Sequence, residues 1–285
     1  MIVVTGASGH LGHLVIKELL KTEDPKSIIA AGRDVAKLND LSSTGIQIRH
    51  IDYNKPETIG PAIQGADKML LISASTIGQR AAEHKRVIDS AKLAGIPFIV
   101  YTSLLYADKS PLSLAEEHRA TEADLKASGI PHAILRNGWY SENYTENLAP
   151  ALQHGAVLGC ANDGKYSFAA RADYAVAAAI VLTSENQAGK IYELAGDTAH
   201  SLYEYVVEVA KQSGKSIKYS NMLEETYYET LKSAGLPDSV AKMLSNSDTG
   251  ASKGALFNNS GTLSKLIGRP TTPISESIKE ALAKL

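Results

Sequence analysis

Residues 5–12 read TGASGHLG, with Gly6, Gly9 and Gly12 three apart. The loop follows the apolar run Ile2-Val3-Val4 and precedes Leu11, Leu14, Val15, Leu19 and Leu20 at helical spacing. Glycines so placed between a strand and a helix suit backbone that wraps a pyrophosphate. Gly6 allows the tight turn, Gly9 the approach of the phosphates, and Gly12 the close packing of helix on strand. The helix start then turns free N–H groups and the positive end of its dipole toward the anion. Gly6, Ser8, Gly9, His10, Leu11 and Gly12 are the expected cradle, His10 through its backbone N–H. His10 and His13, three apart, are spaced for a metal, but no further ligands lie nearby and none is expected to bind.

The second chemically informative stretch is Ala30-Ala31-Gly32-Arg33-Asp34. An NAD site places a carboxylate at the end of the second strand, roughly 20 residues after the glycines, to hold the ribose 2′-OH. Here Gly32 is read as leaving room where that carboxylate would stand, and the Arg33 fork matches a 2′-phosphate. NADPH is the expected dinucleotide, with Asp34 leaving NADH use open. Asp52 and Tyr53 follow the third strand, at the adenine edge. Ser73, Ala74 and Ser75 follow the fourth, beside the pyrophosphate and nicotinamide ribose, because ligands sit beyond the carboxyl ends of such strands.

These residues need a scaffold, and the pattern supplies one. Short apolar runs at 2–5, 28–31, around Ile46, Ile48 and Ile51, and at 68–73, 97–103 and 132–136 read as strands. Helical patterns separate them at 11–20, 34–41, 55–64 and 79–94. Strands alternating with helices imply right-handed crossovers and a parallel sheet, and unbroken apolar strands imply cover on both faces. The expected class is α/β, a doubly wound parallel Rossmann sheet with a smaller, mostly helical C-terminal lobe. Residues 1–140 form the dinucleotide domain, with later segments returning to it, and 141–285 are mainly the substrate lobe. In that second part, 145–154, 171–183, 201–213, 222–234 and 274–285 read as helices and 190–195 as a strand.

Composition excludes several classes. With 285 residues, 44% hydrophobic and 21% charged, the chain is an ordinary globular one with enough length for a sizeable core. A net charge of −2 without a basic stripe gives no nucleic-acid or membrane-surface signal. One cysteine, Cys160, allows no internal disulfide and no thiolate cluster. The longest apolar run is too short to span a bilayer. Strand-like sequence from residue 2 argues against a signal peptide, so a cytoplasmic location is expected.

The glycine loop resembles that of the short-chain dehydrogenase/reductase superfamily, most of whose members carry a Tyr-x-x-x-Lys pair on the helix after strand five. That helix here reads EEHRATEADL, with His118 and Glu122 at the corresponding spacing. They read as an exposed i,i+4 pair in preference to a weak proton source. Tyr228 and Lys232 have the spacing but lie deep in the second lobe, as a chance helix-surface match. A ketone reduced without an acid leaves a strongly basic alkoxide. A reduced quinone leaves a phenol-like oxygen of pKa about 10, which needs far less help.

The resemblance extends further. TGASGHLG, AAGRDVAKL, LLISASTIGQRAAEH, YTSLL, LAEEHRATE, LRNGWYSENY, ELAGD, GLPD, SDTGASKGALF and SKLIGRPTTP together resemble the bacterial NAD(P)H:quinone oxidoreductase type 2 family, an NmrA-like, atypical group of the superfamily. Triphenylmethane reductase is a close relative in this group. The resemblance implies two-electron reduction of a small quinone to hydroquinone by direct hydride transfer from NADPH, without bound flavin or metal. It implies that Asn137, Gly138, Trp139 and Tyr140 line the nicotinamide end, with Asn137 and Tyr140 the catalytic candidates. Trp139 and Tyr140 flank the nicotinamide and a planar acceptor, or simply pack the core; both readings stay open. Two alternatives remain: a redox-sensing regulator that binds NADP(H) without turnover, and a reductase of conjugated dyes or imines. Oligomeric state is left open.

Overall fold

The computed structural model describes residues 1–285. β1 (Ile2–Val4) leads to α1 (His10–Leu19), β2 (Ile28–Gly32), β3 (Gln47–His50), α2 (Pro56–Ile63), β4 (Lys68–Leu71), α3 (Arg80–Leu93), β5 (Phe98–Leu104), α4 (Leu114–Ser128) and β6 (His132–Asn137). There follow α5 (Glu142–Thr145), α6 (Leu148–His154), β7 (Ala156–Gly159), α7 (Arg171–Thr183), β8 (Ile191–Leu194), α8 (Leu202–Ser213) and β9 (Lys218–Asn221). The chain ends with α9 (Glu224–Ser233), α10 (Asp238–Ser252), α11 (Thr262–Ile267) and α12 (Ile274–Leu282).

Seven strands form one sheet in the order β3-β2-β1-β4-β5-β6-β8. The pairings of β1 with β2 and β4, β2 with β3, and β4 with β5 are all parallel. Strand order reverses between β1 and β4, so the loop after β1 opens at the switch point where such sheets bind ligands. Every residue of β1 and β2 is buried, as apolar strands covered on both faces require. β3, at the edge, is half exposed. No helix is long and apolar enough to cross a membrane.

The segment expected as a helix over 34–41 is a 3-10 helix at Val35–Thr44. Its buried residues, Leu38 and Leu41, are three apart, which matches the tighter period. The helix expected over 145–154 is broken into α5 and α6 at Asn147, whose φ of −106° and ψ of 19° leave the helical range. Pro150 lacks an N–H and fits only a first helical turn, so α6 starts just before it. β7, β9, α10 and α11 had no clear sequence pattern. β7 and β9 pair in parallel as a separate two-stranded sheet, and four residues each are too few to display a period.

Contacts divide the chain into two compact units. The first comprises 1–104, 117–136 and 171–192, the second 105–116, 137–170 and 193–285. The first has a core of Val3, Ile29, Met69, Leu71, Val87, Ile99, Tyr101 and Ile134 among others. In the second, Tyr166 and Phe168 stack with centroids 5.2 Å apart, with Tyr144 edge-on to both. Buried Asp248 anchors that cluster. Its Oδ1 accepts from the Tyr166 and Tyr144 hydroxyls at 2.7 and 3.0 Å, and its Oδ2 from the Cys160 N–H at 3.0 Å. Burial raises the Asp248 carboxyl above the usual carboxylate range. Part of the chain's tyrosine richness is therefore packing around this one carboxylate.

Candidate active site

The glycine loop is held from below by Thr5. Its hydroxyl donates to the Leu70 carbonyl at 2.9 Å and accepts from Ile72 N–H at 3.2 Å and the Tyr53 phenol at 2.6 Å. Gly6 has φ +63°. A Cβ on Gly12 would stand 2.4 Å from the Gly6 carbonyl oxygen, so α1 can approach the loop only with glycine there. α1 starts at His10 with Gly9 as N-cap and no side chain capping it, which leaves its first N–H groups turned outward. His10 and His13 turn to different partners: His10 Nδ1 accepts from Arg171 at 3.0 Å, and His13 lies 3.0 Å from Asp40. Leu11 is buried in the helix packing.

At the end of β2 the expectation needs a correction. A Cβ on Gly32 would lie 2.8 Å from Ser8 Oγ and 3.0 Å from Ser8 N. Gly32 therefore admits the glycine loop's own backbone; the space beside it is filled by Ser8 and is not room left for a ligand. Arg33 is exposed and uncommitted. Asp34 Oδ1 accepts from Ala36 N–H at 3.2 Å, capping the 3-10 helix, and Lys37 stands 3.9 Å away. The acidic neighbour is thus engaged locally while the guanidinium is not.

Beyond β3, Asp52 Oδ1 accepts from Asn54 N–H at 3.0 Å in a side-chain turn. The Tyr53 hydroxyl is turned to Thr5, and burial pushes this phenol up. Beyond β4, Ser73 N–H donates to Thr102 Oγ1 at 2.9 Å and Ser75 is exposed. Between them, both polar groups of Ala74 are gripped by side chains one turn apart on α3. Arg80 Nε donates to its carbonyl at 2.6 Å, and its N–H donates to His84 Nε2 at 2.9 Å. Since Nε2 accepts, the ring proton sits on Nδ1 and is donated to Thr121 Oγ1 at 2.9 Å. Burial, and then the Arg80 charge, push the His84 imidazole down to about 3. Arg80 also pairs with Glu117 at 3.3 Å.

His118 and Glu122 on α4 do not form an exposed pair. His118 is buried, its Nδ1 2.7 Å from the Tyr101 hydroxyl. Burial holds that imidazole well below its ordinary value and raises the phenol. Glu122 accepts from Arg136 Nε at 3.0 Å and Arg136 NH2 at 2.8 Å, and from the Ser103 hydroxyl. The reading of His118 and Glu122 as a surface pair is overturned: both face the sheet, where they satisfy the buried groups Tyr101 and Arg136. Tyr228, in contrast, stays half exposed, its hydroxyl 2.6 Å from Asp238 and its ring 4.8 Å from the Lys232 ammonium.

Asn137, Gly138, Trp139 and Tyr140 belong to the second unit. Asn137 Nδ2 donates to the Tyr140 hydroxyl at 3.2 Å. Asn137 Oδ1, Trp139 Nε1 and Ser141 Oγ are buried without a partner. Native interiors satisfy nearly all such atoms, so three of them within five residues are polar groups that still need a partner. Gly138 N–H donates to the Leu194 carbonyl at 2.7 Å, which ties the segment to β8.

Several of the contacts around these loops had no signal in the linear sequence. Arg171 reaches His10, the first residue of α1, from 161 positions away. Arg80 and His84 looked like ordinary residues of a polar helix. Nothing in spacing alone distinguishes such side chains from solvated ones.

The sequence matches the NAD(P)H-binding family over residues 6–184. It is 53% identical to quinone oxidoreductase 2 of Escherichia coli over 278 residues, which is 98% of this chain and 97% of that one. The fold superimposes on the crystal structure of the E. coli NADPH-dependent quinone oxidoreductase complexed with NADPH at a TM-score of 0.95, with 52% identity, over 99% of this chain and 100% of that one. It also superimposes on Citrobacter triphenylmethane reductase complexed with NADP(H), at a TM-score of 0.93 and 35% identity, over 99% and 100% of the two chains.

Proposed function

The chain belongs to the NAD(P)H-binding family, alongside quinone oxidoreductase 2, and from that premise we propose how its residues carry out NADPH-dependent reduction of a small quinone to the hydroquinone. The enzyme is an NAD(P)H:quinone oxidoreductase. The observation that carries the residue assignments is the pairing of an open glycine-loop cradle with an uncommitted guanidinium at the end of β2.

The residues present fit the dinucleotide. Gly12 lets α1 close on the loop, and the uncapped N–H groups at its start suit a pyrophosphate. Arg171, drawn to His10, adds a cation beside that helix start. Arg33 takes the 2′-phosphate, which accounts for NADPH; Asp34 leaves weaker NADH use. Arg80 and His84 fix the Ala74 peptide so that Ser73 to Ser75 meet the ribose in one conformation. Asn137 Oδ1 and Trp139 Nε1, an orphaned acceptor and an orphaned donor, suit the nicotinamide carboxamide or a quinone oxygen. Tyr140, tied to Asn137, orients it. When bound, NADPH supplies the hydride, with no resident flavin between donor and acceptor.

The absence of an acid on α4 fits an acceptor whose reduced oxygen is phenol-like. Orientation of two flat rings is then most of the catalytic task. The test is stopped-flow loss of nicotinamide absorbance with flavin-free protein and a panel of benzoquinones and naphthoquinones. A regulator without turnover would bind NADPH and oxidise none of it, and a dye reductase would act on cationic dyes while leaving the quinones untouched.

A further inference from the structure

Tyr106 lies two residues beyond β5, at the carboxyl edge of the sheet, with φ 55°. A left-handed backbone is unusual for a bulky residue and persists only where the surroundings over-determine it. Here they do. The Tyr106 N–H donates to the Glu193 carboxylate at 2.8 Å, and its carbonyl accepts from Lys109 and Ser110 N–H groups at 2.9 and 2.7 Å. The same turn brings the Lys109 ammonium to 4.6 Å from the centre of the Tyr106 ring.

The phenol oxygen accepts from Asn258 Nδ2 at 2.9 Å. The orientation of that amide is fixed, because Asn258 Oδ1 accepts from the Ser260 N–H at 2.8 Å and the Ser260 hydroxyl at 2.7 Å. Only Nδ2 is left to face the tyrosine. The Asn258 backbone is tied at both ends to Ser167 Oγ, at 3.0 and 2.8 Å. In this pairing the phenol oxygen is the acceptor, which leaves its own O–H directed elsewhere. The preceding residue, Leu105, donates its N–H to the Asn137 carbonyl at 2.9 Å, so Tyr106 borders the strand end that carries the orphaned Asn137 Oδ1.

We propose that Tyr106 donates the proton that completes quinone reduction, with Lys109 and Asn258 stabilising the phenolate left behind. The inference rests on the quinone-reductase reading. Hydride brings two electrons and one hydrogen to the quinone and leaves a hydroquinone monoanion. The Tyr106 O–H bond then breaks as a new O–H bond forms on the anionic oxygen. NADPH is the compound oxidised, the quinone is reduced, and water returns the proton to Tyr106. A hydroxyl held in place by Asn258 can pass its proton to an oxygen within hydrogen-bond reach, which is what a general acid must do. The resulting phenolate faces a cation across its ring and an N–H bond that strengthens as charge appears. This tyrosine and lysine are three apart in a loop, which is why a search for Tyr-x-x-x-Lys on a helix passes over them.

The experiment compares wild type with Tyr106→Phe, which removes only the hydroxyl. Turnover of methylated benzoquinones is expected to fall ~100-fold, the usual contribution of a positioned general acid. The wild-type solvent deuterium isotope effect should vanish in the variant, and the loss should shrink with halogenated quinones, whose hydroquinones are stronger acids. NADPH affinity, read by nicotinamide fluorescence, should stay within about twofold, since the hydroxyl contacts no cofactor in this assignment. Lys109→Gln should lose less than Tyr106→Phe and keep the isotope effect. A Phe variant with wild-type turnover and an unchanged isotope effect overturns the proposal. So does an equal loss with every acceptor accompanied by weakened NADPH binding, which indicates a structural role. Wild type that oxidises no NADPH with any quinone refutes the quinone reading itself, and this proposal with it.

Discussion

His84→Gln should flatten the acid sensitivity of the fold by a calculable amount. His84 is fully buried, and burial together with Arg80 brings its imidazole to about 3, against 6.5 in the unfolded chain. The folded protein therefore resists a proton that the unfolded chain accepts. The stability that this neutral ring contributes is complete above pH 6.5 and is lost as pH falls from 6.5 toward about 3. Between pH 7 and 5 one such histidine costs about 2 kcal/mol, and about 5 kcal/mol over the whole window, at 1.36 kcal/mol per unit. His118, displaced in the same direction, steepens the wild-type curve further. Glutamine can still accept from Ala74 N–H and donate to Thr121 but does not titrate. Urea unfolding followed by circular dichroism at pH 7 and pH 5 gives the loss for each protein. The wild-type loss should exceed that of His84→Gln by about 2 kcal/mol. Equal losses, or a His84 NMR titration near 6.5, would refute the reasoning.

Arg33→Ala should weaken NADPH binding ~10-fold or more and NADH binding less than about twofold, from loss of one charge-assisted phosphate contact. The difference should shrink in high salt because the side chain is exposed; equal weakening of both cofactors would show that β2 does not select the 2′-phosphate. Gly12→Ala puts a methyl 2.4 Å from the Gly6 carbonyl oxygen, so it should cost about 1–3 kcal/mol of stability and most NADPH affinity, read by thermal melting and fluorescence titration. Tyr228→Phe should leave quinone turnover unchanged, because its hydroxyl meets Asp238 and Lys232 on the surface of α9 and α10; abolished activity would place a catalytic centre there.

The parts legible in the sequence are those written by local pattern. The alternation of apolar strands with helices implies the parallel sheet, because each crossover is decided within some thirty to forty residues by period and by handedness. The glycine loop is contiguous, and its three roles follow from its place between β1 and α1. The place of Arg33 was legible for the same reason, just past a strand whose position the pattern already supplied. Gly32 was located correctly but for the wrong cause, because its neighbour Ser8 comes from another turn. His118 and Glu122 show the limit more sharply. An i,i+4 polar pair reads the same whether the helix face meets water or a sheet, and only the packing of α4 on Tyr101 and Arg136 turned that face inward.

What tertiary structure alone decided is which polar atoms meet. Arg171 finds His10 across 161 residues, Asn258 finds Tyr106 across 152, and Asp248 gathers Tyr144 and Tyr166 from 104 and 82 away. Period and propensity act over one or two turns of chain. A hydrogen bond acts over about 3 Å of space, and its partner is chosen by whichever distant segment the core brings within that reach.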